Sequence, residues 1–265
     1  MLAIVTTTFF VLGLIIGSFL NVVILRYNTG RSFGGRSACM TCESELRFHE
    51  LIPLFSFFAL SGRCLSCKTK ISIQYPLVEL ATGVLFAGLF LKFQDLFFTS
   101  TLAFAFLYAF YALLFSLLIV IATYDIKHKI IPDLLVFIFG LLAFLSIFIL
   151  NPSGIYPHWP NLWELVSGVL VSLPFALIWL LSRGTWMGLG DAKLALGLTY
   201  LLGLSRMLSA VVISFWAGAI VGLLLLIFSK SHGMKSEVPF APFLVFGAIA
   251  AFLFELHLFP LLLNL

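Results

Sequence analysis

Charge is scarce in this chain. Only 10% of its 265 residues are Asp, Glu, Lys or Arg, against 62% hydrophobic residues. With a mean hydropathy of +1.16, it has too little polar surface to cover a water-soluble core. The shortage excludes a soluble globular domain and points to a polytopic membrane protein. Basic stripes interleaved with aromatics are missing outside the apolar runs, which excludes nucleic acid as a partner. The first apolar run lacks a basic n-region and a small-residue cleavage site and ends on Arg26, so it does not read as a cleaved signal peptide. Internal repeats, low-complexity tracts and a second soluble domain are absent as well. Cysteine is limited to four residues, all in one polar stretch.

Eight apolar segments remain: 2–25, 76–91, 97–123, 134–150, 162–181, 192–204, 207–228 and 243–259. A span takes about 20 residues, so the 192–204 segment is short and is expected to recruit the glycines before it or to start below the bilayer surface. The expected fold is an all-α polytopic membrane protein of about eight transmembrane helices with a small cytosolic four-cysteine zinc-binding loop. It divides into a first transmembrane helix (1–25), the loop (26–74) and a membrane core (75–265). Within the first helix, Gly13 and Gly17 form a Gly-xxx-Gly pair, with Ser18 and Asn21 near the same face, a pattern for close packing against another helix.

The polar stretch carries Cys39-x-x-Cys42 and Cys64-x-x-Cys67, two knuckles with 21 residues between them. That is close to the spacing of four-thiolate zinc sites. The alternatives are a pair of disulfides or thiols with no joint role. Zinc is favoured because basic residues crowd this loop and place it on the reducing, cytosolic side. Each knuckle lets two sulfurs reach one ion, and the metal supplies folding energy to a loop too short to bury much core. Leu51, Ile52, Pro53, Leu54 and Phe55, between the knuckles, suggest a segment lying on the bilayer surface.

Counting basic residues orients the spans. With Met1 outside, the cytosolic side holds Arg26, Arg31, Arg36, Arg47, Arg63, Lys68, Lys70, Lys127, Lys129, Arg183, Lys230 and Lys235, while the outside holds Lys92 and Arg206. The positive-inside rule then puts both termini outside. In this frame the third span ends near Asp125 and the sixth begins at Asp191, so both carboxylates lie at the same membrane face.

Asp191 follows Gly188-Leu-Gly190, where glycine is expected to let the backbone bend and approach a substrate. At a helix start, the macrodipole favours a carboxylate. Two carboxylates sharing a partly desolvated site divide into a protonated acid and an ionised base, because like charge and burial oppose double ionisation. Such a pair can activate water against an amide. Asp133 is a rival for the first position, but after Pro132 and before an apolar run it reads as a helix N-cap. Glu79, near the cytosolic start of the second span, could meet a substrate ammonium or a basic neighbour. His128 reads as a solvated loop residue, and Glu255 and His257 as interfacial.

Taken together, these residues resemble the type IV prepilin peptidases, the membrane aspartic peptidases of the Gly-x-Gly-Asp kind. The likeness runs through Gly17-Ser-Phe-Leu-Asn21 with Arg26, Arg36-Ser-x-Cys39-x-x-Cys42, Leu51-Ile-Pro53, Gly62-x-Cys64-x-x-Cys67 and Tyr75-Pro-Leu-Val-Glu79. It continues through Asp125 to Ile131-Pro-Asp133, Gly188-Leu-Gly-Asp191-Ala-Lys193 and Pro239-Phe-Ala-Pro-Phe243. Ala241 stands where the pattern has glycine.

The resemblance implies an enzyme of the bacterial cytoplasmic membrane, with 75–265 as the peptidase core. It would remove a short basic leader from prepilin-like proteins at the cytosolic face, using Asp125 and Asp191. Through its cysteine loop it would also N-methylate the new terminal residue from S-adenosylmethionine. Nothing in the sequence marks the donor site, since Gly188 to Gly190 is not a nucleotide-binding loop following a strand. A presenilin-like protease would not be expected to carry the cysteine loop. A non-catalytic zinc-binding scaffold would leave the two same-side aspartates unexplained.

Overall fold

The computed structural model describes residues 1–30, 32, 34–151, 154–228 and 238–259. Arg31, Lys230 and Lys235, counted in the orientation above, lie outside the described residues. The chain forms two compact units, Met1–Val120 and Ile121–Leu265.

In the first unit, α1 (Leu2–Arg26) packs against α3 (Gln74–Lys92). The glycine pair lets these helices approach closely. A Cβ on Gly13 would come within 2.6 Å of the Thr82 carbonyl oxygen, and one on Gly17 within 2.7 Å of Glu79 Cα, closer than any real side chain allows. The approach is reciprocal, since Gly83 of α3 receives Leu14 and Phe10. Between the two helices the polar loop contains the five-residue helix α2 (Phe55–Ala59). Beyond α3 come α4 (Gln94–Thr99) and the start of α5 (Thr101–His128). Phe9, Phe86, Phe90, Phe97, Phe104 and Tyr108 form a ring cluster of stacked and edge contacts, and the Tyr108 hydroxyl donates to the Phe86 carbonyl.

The second unit is built round α8 (Leu189–Leu202), which contacts α6 (Asp133–Ser146), α7 (Leu162–Ser182), α9 (Leu204–Phe228) and α10 (Ala241–Leu253). Small residues make these contacts close: Gly197 lies against Phe139 and Gly140, and Gly168 receives the Tyr200 ring. Residues Leu150–Asn151 and Gly154–Ile155, β1 and β2, pair antiparallel between α6 and α7, a hairpin that composition did not signal.

Each of the eight apolar segments contains a helix, but their lengths differ. Five are long and apolar enough to cross a membrane: α1, α3, α5, α7 and α9. Helices α6 and α10 are apolar but shorter, and α8 has 14 residues. The short segment does recruit the preceding glycines, since α8 begins at Leu189.

Candidate active site

Asp125 lies in the last turn of α5. The helix stops where Lys129 enters the left-handed region (φ 53°), its N–H bonding the Asp125 carbonyl at 2.7 Å. A carboxylate beside a helix C-terminus is electrostatically misplaced. The first turn of α10 compensates, because the Ala241 N–H donates to the Asp125 carboxylate. Alanine suits that position: it is fully buried and its φ is not positive, so the expected glycine is not needed there.

Asp191 is the third residue of α8, and its carboxylate reaches back to the N–H of Gly188, the residue that caps the helix. This is the acidic half of a capping box. Asp191 Oδ1 is buried and has no hydrogen-bond partner among the described residues. Both aspartates are buried, at 5% and 6% exposure, and they lie close enough to interact as charges. A buried acid oxygen without a donor is costly, so its place beside a second acid invites a chemical rather than a packing explanation.

The glycines work differently from the expectation. Neither Gly188 (φ −75°) nor Gly190 adopts a left-handed backbone. A Cβ on Gly190 would lie 2.8 Å from Ile131 Cβ, whereas one on Gly188 would meet nothing closer than 3.8 Å. Gly190 is therefore required by close approach of the segment before α6, and Gly188 is not. Asp133 also departs from its expected place. Pro132, with extended backbone, takes the N-cap and Asp133 is the first helical residue. Its carboxylate is held by Lys193 Nζ at 2.7 Å. His128 stacks on Tyr124, with ring centroids 4.3 Å apart, and His257 Nδ1 pairs with Ser205 Oγ. The Ala241 N–H, the Ile131 contact and the Lys193 partner were not foreseen.

In the first unit the four cysteines come together, with their sulfur atoms all within 4.8 Å of one another. The two knuckles repeat one hydrogen-bond pattern. Cys39 N–H bonds Ser44 O and Glu43 N–H bonds Cys39 O; Cys64 N–H bonds Thr69 O and Lys68 N–H bonds Cys64 O. Glu43 and Lys68, each following the second cysteine, share a left-handed backbone (φ 56° and 60°). A four-sulfur tetrahedron with metal–sulfur bonds of about 2.3 Å has sulfurs about 3.8 Å apart, and Cys39 and Cys67 are 3.8 Å apart. Cys67 is also prepared as a thiolate: hydrogen bonds from the Thr69 hydroxyl and backbone pull its pKa down to about 6. Ser44 lowers that of Cys42 in the same way. The donor set fits one metal ion.

Glu79 has no basic neighbour among the described residues. Its carboxylate accepts from the Leu54 N–H at 2.8 Å and from Ser18. Asn21, fully buried, donates to the Gly17 and Tyr75 carbonyls.

Fold and site together define a multi-pass helical membrane protein with a four-cysteine loop and two buried aspartates in one unit. Residues 11–93 match the bacterial peptidase A24 N-terminal domain, and residues 112–223 match the type IV leader peptidase family. A prepilin leader peptidase/N-methyltransferase of Stutzerimonas stutzeri is 33% identical over 276 residues, covering 92% of this chain and 88% of that protein. One from Bacillus subtilis is 32% identical, covering 92% of each. Another, from Myxococcus xanthus, is 35% identical over 230 residues, 86% of this chain but 65% of the longer relative. The chain belongs to the type IV leader peptidase family. No solved structure matches it.

Proposed function

We propose that this chain removes the leader of prepilin-like proteins at the cytosolic face of the bacterial inner membrane, with Asp125 and Asp191 as the catalytic pair. One observation carries the reading: two buried aspartates from different helices are within electrostatic reach, and one oxygen, Asp191 Oδ1, has no partner of its own among the described residues. One carboxylate takes a proton from water as the water attacks the scissile carbonyl, while the other, protonated, donates to the carbonyl oxygen; the first then passes its proton to the leaving amine as the second recovers one from the tetrahedral diol, which breaks the C–N bond and restores the pair. The Ala241 and Gly188 N–H groups hold the two side chains in place. A substrate whose leader stays in water while its apolar helix stays in lipid presents its bond at this level. Eight crossings, with α6, α8 and α10 as the short ones, bring both aspartates to that face.

The relatives' names support a second activity, N-methylation of the new terminus with S-adenosylmethionine as donor. No residue of this chain is assigned to the donor. Zinc is the metal proposed for Cys39, Cys42, Cys64 and Cys67, where it would tie the two knuckles together. Four sulfurs close its coordination shell, so the hydrolytic water belongs to the aspartates. The test is to incubate the purified protein with a prepilin and determine the product's N-terminus by mass spectrometry. A leader-free, N-methylated product is expected, and an unprocessed prepilin would refute the reading.

A further inference from the structure

Glu79 is a buried acid outside the proposed chemistry, and the segment after it in space, residues 51–60, is an apolar stretch outside any core. Leu54 joins the two. Its N–H bonds Glu79 Oε2 at 2.8 Å while its backbone sits at φ 59°, a conformation a leucine adopts only when something holds it.

The level of that bond in the membrane can be read from the helices. Arg26 ends α1 and Gln74 starts α3, both helices of membrane-crossing length, so the loop between them leaves and re-enters at one bilayer face. Helices α1 and α3 run antiparallel in one register: Asn21 meets Tyr75, Gly17 meets Glu79 and Gly13 meets Gly83. At 1.5 Å per residue, the Gly17–Glu79 level lies about 13 Å inside Arg26 along α1 and about 8 Å inside Gln74 along α3. The glutamate side chain leans back towards the start of α3, and the amide bonded to it at 2.8 Å stays inside the level of Arg26.

The chain there suits lipid. From Leu51 to Gly62 there is no charged residue; Arg47 and Glu50 precede the stretch, the Glu50 carboxylate turned back onto the Arg47 N–H at 2.8 Å, and Arg63 follows it. Phe55 and Phe58 are 66% and 72% exposed, and Leu51 and Ile52 are exposed beside them. Phe57 turns inward instead, against Gly62. Apolar side chains at this depth with basic residues at the rim match the layering of a bilayer whose headgroups are anionic.

We propose that residues 51–60 form a wedge inserted in the bilayer, with Phe55 and Phe58 among the acyl chains, and that Glu79 fixes its depth through the Leu54 amide. The buried carboxylate is then an anchor for the cysteine loop and not a group that meets substrate.

The test places the photoreactive amino acid benzoylphenylalanine at position 58, or at the exposed knuckle position 40 as control. The full chain is reconstituted in nanodiscs of phosphatidylcholine and phosphatidylglycerol, irradiated and analysed by mass spectrometry. Lipid adducts are expected at 58 and not at 40. Absence of lipid adducts at 58, or chain-to-chain adducts in their place, overturns the wedge. Capture of the substrate's apolar helix at 58 with lipid adducts missing would assign the surface to substrate and also overturn it. For the anchor, Glu79→Ala should lower the yield at 58 several-fold, and Glu79→Gln, which keeps an acceptor oxygen, should retain it. Equal yields in all three would remove Glu79 from the account. If Glu79→Ala fails to insert, hydrogen exchange of the wild-type Leu54 amide decides: slow exchange is expected, and exchange as fast as an open loop contradicts the anchor.

Discussion

Lys193 Nζ lies 2.7 Å from Asp133 Oδ1, so the residue two places after Asp191 holds the first residue of α6. The pair is exposed, at 46% and 76% of the two side chains, and exposed ion pairs contribute at most about 1 kcal/mol. Together with the Gly190–Ile131 contact it ties the segment after Asp125 to the start of α8.

Asp133→Asn should therefore leave the protein folded and slow leader cleavage by no more than about tenfold. Exchanging the charges, Asp133→Lys with Lys193→Asp, should recover part of the loss. Steady-state cleavage of a prepilin checks this. A loss as large as that of Asp191→Asn would return Asp133 to the catalytic candidates.

Gly190→Ala and Gly188→Ala separate two explanations of the glycine motif. A methyl group at 190 meets Ile131 at 2.8 Å, while at 188 it meets Asp191 Oδ2 at an ordinary contact distance of 3.8 Å in a permitted backbone. Overpacking costs about 1 to 3 kcal/mol, so Gly190→Ala should lower both thermal stability and cleavage. Gly188→Ala should be nearly silent. Equal damage at both positions, read from melting curves and cleavage rates, would show that backbone freedom matters after all.

How much of this was legible in the sequence differs by kind of information. The helices were visible because apolar length marks a span, and the two knuckles because Cys-x-x-Cys is a local pattern that needs no distant partner. The helix ends were less visible: α5 runs on through Asp125 to His128 because polar residues can finish a helix at an interface. The donor to Asp125 left no trace, since Ala241 contributes a backbone N–H, which every residue except proline has. Gly190 was singled out for the wrong reason, as a glycine looks the same in sequence whether it supplies a rare dihedral or empty space.

The cysteine loop should hold about one zinc per chain. Cys39→Ser with Cys42→Ser should lose the metal and open the loop to proteolysis, with methylation falling at least as far as cleavage. Metal analysis and product mass spectrometry measure both. Zinc-free protein with four titratable thiols and both activities intact would remove the assignment.

Topology gives an independent check. Reporter groups in the cysteine loop and beside Asp125 should be shielded from a membrane-impermeant reagent in intact cells, whereas groups at Tyr156 to His158 should react. The sequence places Lys235 on the shielded side as well. A reactive Lys235 site with a shielded cysteine loop would reduce the count of crossings by one, with the 14-residue α8 the first suspect.

The most direct measurement is cleavage of a prepilin by Asp125→Asn and Asp191→Asn proteins shown to be folded and inserted. Each change keeps the shape of the side chain and removes an ionisable carboxyl group, and loss of an acid or base role costs about 10² to 10⁴ in rate. The account predicts that both variants leave the leader attached under conditions where wild type removes it completely. A folded Asp191→Asn protein that cleaves at near wild-type rate would contradict it.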